Sequence, residues 1–493
     1  GVRFTAGSVL RRVSGMPAGF LASAAGGTVL VFARSRQASQ TSTLLTVSTA
    51  TSWAARVALR LAAASGTSYI GAAGRRLDAD TVQSIAGGGT FQWSVLDALA
   101  PHALAVRVDH TAGRSQVMQD GVQVHGSSSW LTTGVTSATG AAALSVGCAT
   151  GDATSGFIGD VHEWAVFDRA LTEGEIAQVS ARWMQRYGLA PQPAAPAVLP
   201  WDIDLAALKA SDRQTTGCWY SPIPVSRDNG SQPDDWARLF VSPDGTAVSN
   251  QAAIGGLWRD RPKVRPVRPE SNWWLKDHID LALWMQARGL DGMATDVIST
   301  TAESGRHWTW NRVHAMAGLL TGFRVPFFLD GDGWENNHTA AETAALIAAL
   351  DGFGSGWKLP DGRTVIYVFA PELCALPGQT PVGTVSSPVD ESCTMRVFFD
   401  AVDAELRALG ITPAWMFAPI SGWNNYKEAL RGLAWAGSWW GAGNPYSSRN
   451  AAADATTATA DGFVWAQPVK PQDVRPRDRI YDESGGTQNL RAQ

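Results

Sequence analysis

Acidic residues that stand directly after apolar runs are the side chains in this sequence best placed to do chemistry. Asp330 follows the run VPFFL, Glu372 follows TVIYVFAP, and Asp296 interrupts the stretch GMATDVIS. A carboxyl group within an apolar strand costs free energy unless it is paired or reaches a solvated opening. Glycoside hydrolysis uses two carboxyl groups beside one bond, one as acid and the other as base or nucleophile, so these three residues are the expected catalytic candidates.

Aromatic and amide side chains accompany the acids near the ends of other apolar runs. Tryptophan is abundant, with 22 copies, and its flat ring is both a core filler and a platform for sugar rings. Hydrogen-bonding groups beside such a platform would hold the hydroxyls of a saccharide. The residues expected to bind substrate are Tyr220, His307, Trp308, Asp332, Trp334, Trp423, Asn424, Trp439 and Trp440.

Each candidate also has a purely structural interpretation. Asp330 and Asp332 in LDGDGW can cap a turn, because Asp-Gly pairs are turn formers. Glu372 can form a salt bridge with a cation on a neighbouring helix. One of Trp439 and Trp440 must face the core, because successive strand residues point to opposite faces. LDGDG also looks like the start of a calcium loop, but the remaining EF-hand ligands do not follow. We therefore expect no metal and no other cofactor.

From residue 201 onwards, apolar strands alternate with helical stretches. Such alternation indicates a parallel sheet covered by helices, and seven units in a row favour a (β/α)8 TIM-type barrel over an open sheet. Catalytic groups of such barrels lie at the carboxyl ends of the strands, where the candidate acids stand. The predicted strands are 217–225, 292–299, 324–331, 364–372, 413–421, 433–441 and 462–469.

The end of the sequence bears on how complete this barrel is. Residues 484–493, SGGTQNLRAQ, read as the opening of a helix that follows the seventh strand. An eighth strand is therefore missing, and we expect the chain to be a fragment of a longer protein.

Residues 1–165 follow a different pattern, in which Gly, Ser and Thr turns separate short strands. HALAVRVDH at 102–110 alternates apolar and polar residues, and Asp120-Gly121 between two strands predicts a hairpin. Thr172 and Glu175 form a capping-box pattern that opens a helix ending at Gly188. Together these signals indicate an all-β antiparallel sandwich closed by a helix.

The last strand and helix of this first half carry a resemblance. GFIGDVHEWAVFDRALTEGEIAQV at 156–179 resembles the end of laminin-G-like, concanavalin-like jelly-roll domains. The resemblance implies a jelly roll over residues 1–189 that binds glycans or serves as a spacer. APQPAAPAVLP at 190–200 predicts a semi-rigid Pro/Ala linker, which leaves 201–493 as a truncated barrel domain.

The second half resembles another family through an ordered set of segments. CWYSPIPVSRDNGSQPDDW, VPFFLDGD, TVIYVFAPE, WMFAPISGW and AGSWWGAGNP follow the barrel segments of glycoside hydrolase family 71, the α-1,3-glucanases or mutanases. The resemblance covers about 215–493. It implies that Asp330 and Glu372 are the acids ending the third and fourth strands and that Trp440 is the aromatic residue ending the sixth.

One departure from that family matters for the chemistry. The last strand of the family ends in a Thr-Trp-Asn-Asp-Tyr-x-Glu type of motif, whose Asp and Glu are its leading catalytic candidates. This sequence ends before any such motif. By the resemblance, Asp330 and Glu372 would then be subsite residues that support acids beyond the given chain.

Composition restricts the partners. A net charge of −4, with 17% charged residues, argues against nucleic acid, and no run approaches the ~18 apolar residues of a membrane span. Cys374 and Cys393 bracket a loop of about 20 residues that a disulfide would close, and the sequence leaves open whether they are bridged.

Two functions are compatible with these patterns. The first is an endo-acting glycoside hydrolase on an α-glucan or related polysaccharide, with a glycan-binding jelly roll. The alternative is a non-catalytic glycan-binding or adhesion module of a phage tail or cell-surface assembly, with other subunits as partners. Either function places the protein in an extracellular, cell-surface or virion-associated location.

Overall fold

The structure is a computed structural model. It describes residues 2–5, 10–12, 16–49, 55–86, 95–96, 100–148, 156–189, 216–219, 272–297, 305–334, 338–438 and 455–466, apart from 18, 65–66, 128–132, 142, 288 and 421. The predicted linker at 190–200 and three expected substrate-binding residues, Tyr220, Trp439 and Trp440, lie outside the described residues.

Two antiparallel sheets form the first half, and the predicted antiparallel sandwich is confirmed. The strands are β1 (Val2–Phe4), β2 (Leu10–Arg12), β3 (Gly26–Ser35), β4 (Ser42–Ser48), β5 (Ala55–Ala64), β6 (Thr67–Gly74), β7 (Gln83–Ala86), β8 (Val95–Leu96), β9 (His102–Asp109), β10 (Arg114–Gln119), β11 (Val122–Ser127), β12 (Ala143–Val146) and β13 (Gly159–Phe167). The first sheet has the order β1-β13-β3-β9-β10-β11. The second has the order β2-β12-β4-β5-β6-β7, and β8 pairs with β6.

The alternation of residues along β3 divides the packing of the first sheet between two cores. Val29 and Val31 point into the core shared with the second sheet, where Leu45 and Leu59 are buried. Leu30 and Phe32, which alternate with these valines, belong to a second cluster together with Ala103, Ala105 and Met118. Helix α1 (Glu173–Arg186) covers that second cluster with Ile176 and Trp183.

The predicted local signals around α1 and the hairpin are confirmed. Thr172 Oγ1 accepts a hydrogen bond from the Glu175 amide at 3.2 Å, and Glu175 Oε2 accepts one from the Thr172 amide at 2.8 Å. These reciprocal bonds form the capping box that the sequence indicated. Asp120 and Gly121 both have positive φ, 51° and 84°, which is the backbone of the tight turn joining β10 to β11.

The second half contains a seven-stranded parallel sheet in which the strands follow one another in chain order. They are β14 (Thr216–Trp219), β15 (Gly292–Val297), β16 (Phe327–Asp330), β17 (Thr364–Phe369), β18 (Pro413–Ala418), β19 (Ala434–Gly437) and β20 (Val464–Trp465). Each overlaps one of the seven predicted strands, although most are shorter than predicted. The described helices between them include α2 (Trp273–Gln286), α3 (Gly305–Thr321), α4 (Gly331–Trp334), α5 (Ala340–Asp351), α6 (Thr394–Ala408) and α7 (Lys427–Leu430).

The register shows that the long helices pack on one face of this sheet. Val297, Leu329, Val368 and Phe417 lie directly opposite one another on successive strands. This row belongs to the core that also contains buried side chains of α2, α3, α5 and α6. We call this the helix-covered face.

A different set of side chains occupies the other face of the parallel sheet. Ala294, Phe328, Val365 and Tyr367 form a separate cluster that also contains Trp357, and none of its members comes from a described helix. The Trp357 ring lies 6.4 Å from Tyr367 on β17 and 6.2 Å from Trp435 on β19, between centroids. We call this the opposite face.

The first set of contacts between the two halves lies at the tip of the β10–β11 hairpin. The side-chain amide of Asn272, just before α2, donates to Asp120 Oδ2 at 3.0 Å. At Gly121 the hairpin approaches α3 closely, since a Cβ there would lie 2.8 Å from Met316 Sδ.

Helix α1 makes the second set of contacts between the halves. Arg312 on α3 is buried and donates to Glu173 Oε2 at 2.9 Å. Gly174 lies so close to the end of α5 that a Cβ would be 2.1 Å from the Gly352 carbonyl oxygen. The sandwich is therefore packed directly against the helices of the parallel-sheet unit.

The possible disulfide between Cys374 and Cys393 is not formed in the structure, because both residues are free thiols. Among the described residues, no helix combines the length and apolar character needed to span a bilayer.

Candidate functional site

Asp296 and Asp330 lie on the opposite face of the parallel sheet, on neighbouring strands. Asp296 on β15 is in register with Phe328 on β16, and Asp330 stands two residues beyond Phe328 on the same side. Both carboxyl groups are near the carboxyl ends of their strands. Their exposed fractions are only 3% and 6%, so both are buried.

The environment of Asp296 favours its protonated form. Burial raises the pKa of Asp296 well above its ordinary value, and the negative charge of Asp330 raises it further. Within the part of the chain that the structure describes, neither of its carboxyl oxygens has a hydrogen-bond partner. A buried carboxyl group whose pKa is raised in this way holds its proton more strongly than an ordinary carboxyl group, which suits it to act as a general acid.

Helix α3 fixes the backbone around Asp296. The side-chain amide of Asn311 donates to the Asp296 carbonyl oxygen at 2.6 Å and to Thr295 Oγ1 at 3.1 Å. Because both bonds reach the strand end, they hold β15 in register while leaving the Asp296 carboxyl group on the other face.

Glu372 lies in a 3₁₀ turn, Pro371–Leu373, immediately after β17. The chain enters this turn through Ala370, whose left-handed backbone (φ 51°, ψ 50°) bends it away from the strand direction. Glu372 is fully buried, and its Oε1 accepts a hydrogen bond of 2.7 Å from the Ile420 amide, just beyond β18. The carboxyl group thus joins the ends of two neighbouring strands.

Cys374 extends the acidic group and was not among the predicted site residues. Burial raises the pKa of the Cys374 thiol well above its ordinary value, and the negative charges of Glu372 and Asp330 add to this effect. The thiol is therefore close enough to interact electrostatically with both acids. Its position two residues after Glu372 is the sequence signal that would have included it.

A glycine brings the two strand ends together. Gly331 follows Asp330 directly, and a Cβ at this position would lie 2.2 Å from the Ala370 carbonyl oxygen. Only a residue without a side chain allows the chain after β16 to approach the chain after β17 this closely.

The structure corrects the prediction for Trp334. Its ring is fully buried, its Nε1 donates to Thr343 Oγ1 at 3.0 Å, and it lies 4.2 Å from the His338 ring between centroids. A ring with no exposed face cannot stack on a sugar, so Trp334 is a core residue that anchors α4 to α5. Asp332 belongs to α4, but its side chain lies outside the described part of the structure.

Trp423 is corrected for the same reason. The ring is fully buried, with Phe463 and Trp465 edge-on at 5.1 and 6.4 Å between centroids. It also fills the space above Gly437, where a Cβ would be 2.9 Å from the indole. Asn424, the next residue, is exposed and stays a candidate for binding.

His307 and Trp308, two of the expected substrate-binding residues, lie in the first turn of α3. Their side chains lie outside the described part of the structure. No group of three acidic, histidine or cysteine residues within the described ranges has the arrangement of a metal site.

Comparisons with known proteins give structural neighbours only. No protein-family model matches the chain. No curated protein matches it either.

The structural neighbours include a pentraxin, the CBM40 of a sialidase and a domain of an arabinanase. A SAP-like pentraxin from Limulus polyphemus is 16% identical, covering 36% of this chain and 83% of its own, with a TM-score of 0.27. The CBM40 of an IT-sialidase from Ruminococcus gnavus is 15% identical, covering 32% and 84%, with a TM-score of 0.26. Domain 4 of a GH43 extracellular arabinanase from Geobacillus stearothermophilus is 16% identical, covering 32% and 68%, with a TM-score of 0.24. At these TM-scores the likeness carries no argument about function.

Proposed function

We propose that this protein is carbohydrate-active and that its parallel-sheet unit is an endo-acting glycoside hydrolase on an α-glucan or a related polysaccharide. The observation that supports this most is the pair Asp296 and Asp330, on adjacent strands and on the face that carries no described helix. Their environments differ, because Asp296 is driven towards its protonated form partly by the negative charge of Asp330. An acid beside a carboxylate is the arrangement that glycoside hydrolysis uses.

The proposed roles follow from the contacts. Asp296 donates a proton to the leaving oxygen, and Asp330 acts as the base or nucleophile. Glu372 is a positioning residue, because its hydrogen bond to the Ile420 amide holds the ends of β17 and β18 together.

We further propose that residues 201–493 wind as a (β/α)8-type barrel and that residues 1–189 form a jelly roll that binds glycans. Strands in chain order with their helices on one face support the barrel, since an open doubly wound sheet has helices on both faces. When all the crossover connections have the same hand and all their helices lie on one face, the sheet curls towards a closed barrel. The proposed location is extracellular, cell-surface or virion-associated.

Conservative amide variants of the full chain test the catalytic roles. Asp296→Asn and Asp330→Asn should each lower the rate of reducing-end release by about 10²- to 10⁴-fold, as expected for loss of a general acid or base. Asp361→Asn, an exposed turn residue hydrogen-bonded to Arg363, is the matched control and should retain full activity. Full activity in either site variant would refute the assignment.

The alternative proposal is a non-catalytic glycan-binding or adhesion module of a larger extracellular assembly. The burial of Asp296, Asp330 and Glu372 favours it, because a hydrolytic site must admit substrate and water. Polysaccharide binding without any release of reducing ends would support this alternative, whereas depolymerisation would exclude it.

A further inference from the structure

Three arginines converge on one carboxylate at the edge of the first antiparallel sheet. Arg34 Nη2 lies 2.6 Å from Asp160 Oδ2, Arg36 Nε lies 3.0 Å from the same oxygen, and Arg3 Nε lies 3.2 Å from Asp160 Oδ1. Burial alone would raise the pKa of Asp160, but hydrogen bonds from the three guanidinium groups outweigh burial and lower the pKa. Asp160 is therefore ionised and fully engaged.

The strand register places this cluster on a definite surface. Asp160 on β13 stands directly opposite Arg3 on β1 and Arg34 on β3, so the three side chains share one face of the sheet. Arg34 is two residues beyond Phe32, which belongs to the cluster under α1. The arginines therefore lie beside the end of α1, on the face turned away from the sandwich core.

Aromatic rings adjoin the arginines at the end of α1. Tyr187 stacks on Phe32 at 4.8 Å between centroids, and the His162 ring lies 5.2 Å from Tyr187. Tyr187 is 37% exposed, which leaves part of its ring accessible to a ligand.

The cluster carries more positive charge than its structural role requires. One arginine suffices to neutralise Asp160, yet three are held there, so two positive charges are in excess of the carboxylate. The side chains of Arg3, Arg34 and Arg36 are 64%, 37% and 38% exposed. Arg3 and Arg36 each reach Asp160 through Nε, and within the described part of the structure no hydrogen bond of their terminal nitrogens is seen.

We propose that this surface, formed by Arg3, Arg34, Arg36, His162 and Tyr187, binds the carboxylate of an acidic sugar unit, such as a uronic acid, within a polysaccharide. A guanidinium group matches a carboxylate in a planar two-point contact, and the tyrosine ring offers a face for the sugar. This inference rests on the proposed glycan-binding role of the sandwich and names its site and ligand class. It does not depend on hydrolysis by the other unit.

The test measures binding of the full chain to polygalacturonate and to a neutral α-glucan by isothermal titration calorimetry. Arg36→Gln should weaken polygalacturonate binding by about tenfold, the loss expected for one charge-assisted hydrogen bond. The matched control is Arg114→Gln, an exposed arginine on β10 of the same sheet, which should leave the affinity unchanged. Equal affinities of the wild type and Arg36→Gln would overturn the proposal.

A second variant separates binding from a merely structural salt bridge. Asp160→Asn removes the carboxylate that competes with the ligand, so it should tighten polygalacturonate binding even though it lowers the melting temperature of the free protein. The polymer should then raise the melting temperature of Asp160→Asn by more than that of the wild type. A purely structural cluster would give weaker or unchanged binding, and that result would refute the proposal.

The remaining arms identify the ligand source and separate this inference from the proposed function. Inorganic sulfate binding as tightly as the polymer would show a general anion site and would overturn the assignment to a sugar. Binding or hydrolysis of neutral α-glucan without polygalacturonate binding would refute this inference and leave the proposed function intact. Binding of neither polysaccharide would sink the proposed glycan-binding role as well.

Discussion

At the residue scale, Asp296 shows both what a sequence can predict and where it stops. An acid inside an apolar strand is costly, so its presence alone predicted a site residue. The sequence did not show that Asp330 would lie beside it, because that depends on the register between β15 and β16. Trp334 and Trp423 were mistaken for sugar platforms because composition does not distinguish a buried indole from an exposed one.

The raised pKa of Asp296 predicts a stability difference that depends on pH. A carboxyl group with a raised folded-state pKa contributes stability that is fully present below its unfolded pKa and lost as pH rises through the folded value. Asp296→Asn removes this dependence, because the amide does not ionise. The variant should therefore be more stable than the wild type at pH values above the folded-state pKa of Asp296, by about 1–3 kcal/mol.

Urea unfolding at acidic and at mildly alkaline pH provides the measurement. At acidic pH, where Asp296 is protonated in both folded and unfolded chains, the two proteins should have similar free energies of unfolding. A difference that stays constant with pH would show that Asp296 is not the group responsible.

At the element scale, the existence of the strands was predictable but their ends were not. The apolar run 364–372 predicted a strand that continues to Glu372, whereas β17 ends at Phe369. Ala370 adopts a left-handed backbone and Pro371 has no amide to donate, so the ladder stops there. This early stop places Glu372 in a turn, where it can reach the Ile420 amide.

The close approach at Gly331 gives a prediction for this element. Gly331→Ala would place a Cβ 2.2 Å from the Ala370 carbonyl oxygen, so the backbone must shift. We expect a loss of about 1–3 kcal/mol in the free energy of unfolding, typical of overpacking, and a lower rate of hydrolysis. Gly356→Ala is the control, since a Cβ there meets only the end of the Asp351 side chain at 3.1 Å. Thermal melting that leaves Gly331→Ala indistinguishable from the wild type would contradict this account.

At the scale of the whole molecule, the sequence predicted two domains and a linker but gave no sign of how they pack. The residues that join them are more than 130 positions apart in the sequence. Asp120 is hydrogen-bonded to Asn272, and Glu173 is hydrogen-bonded to Arg312. Such pairs carry no local pattern that propensity or periodicity could reveal. We expect buried contacts of this kind to make the two halves unfold together.

Helix α1 provides the test of this coupling. The wild type should show one calorimetric transition, and Gly174→Val should divide it in two, because a side chain there meets the Gly352 carbonyl oxygen. Gln185→Val, an exposed position on the same helix, is the control and should preserve the single transition. Two separate transitions in the wild type would show that the halves are independent.

The most direct test of the central claim is the time course of reducing-end release when the full chain is incubated with an α-1,3-glucan. We predict that the wild type releases oligosaccharides of decreasing length, as an endo-acting enzyme does. Asp296→Asn should bind the glucan but release reducing ends at a rate at least about 10²-fold lower. Bound glucan that stays intact with the wild type would contradict hydrolysis and leave the binding module as the function.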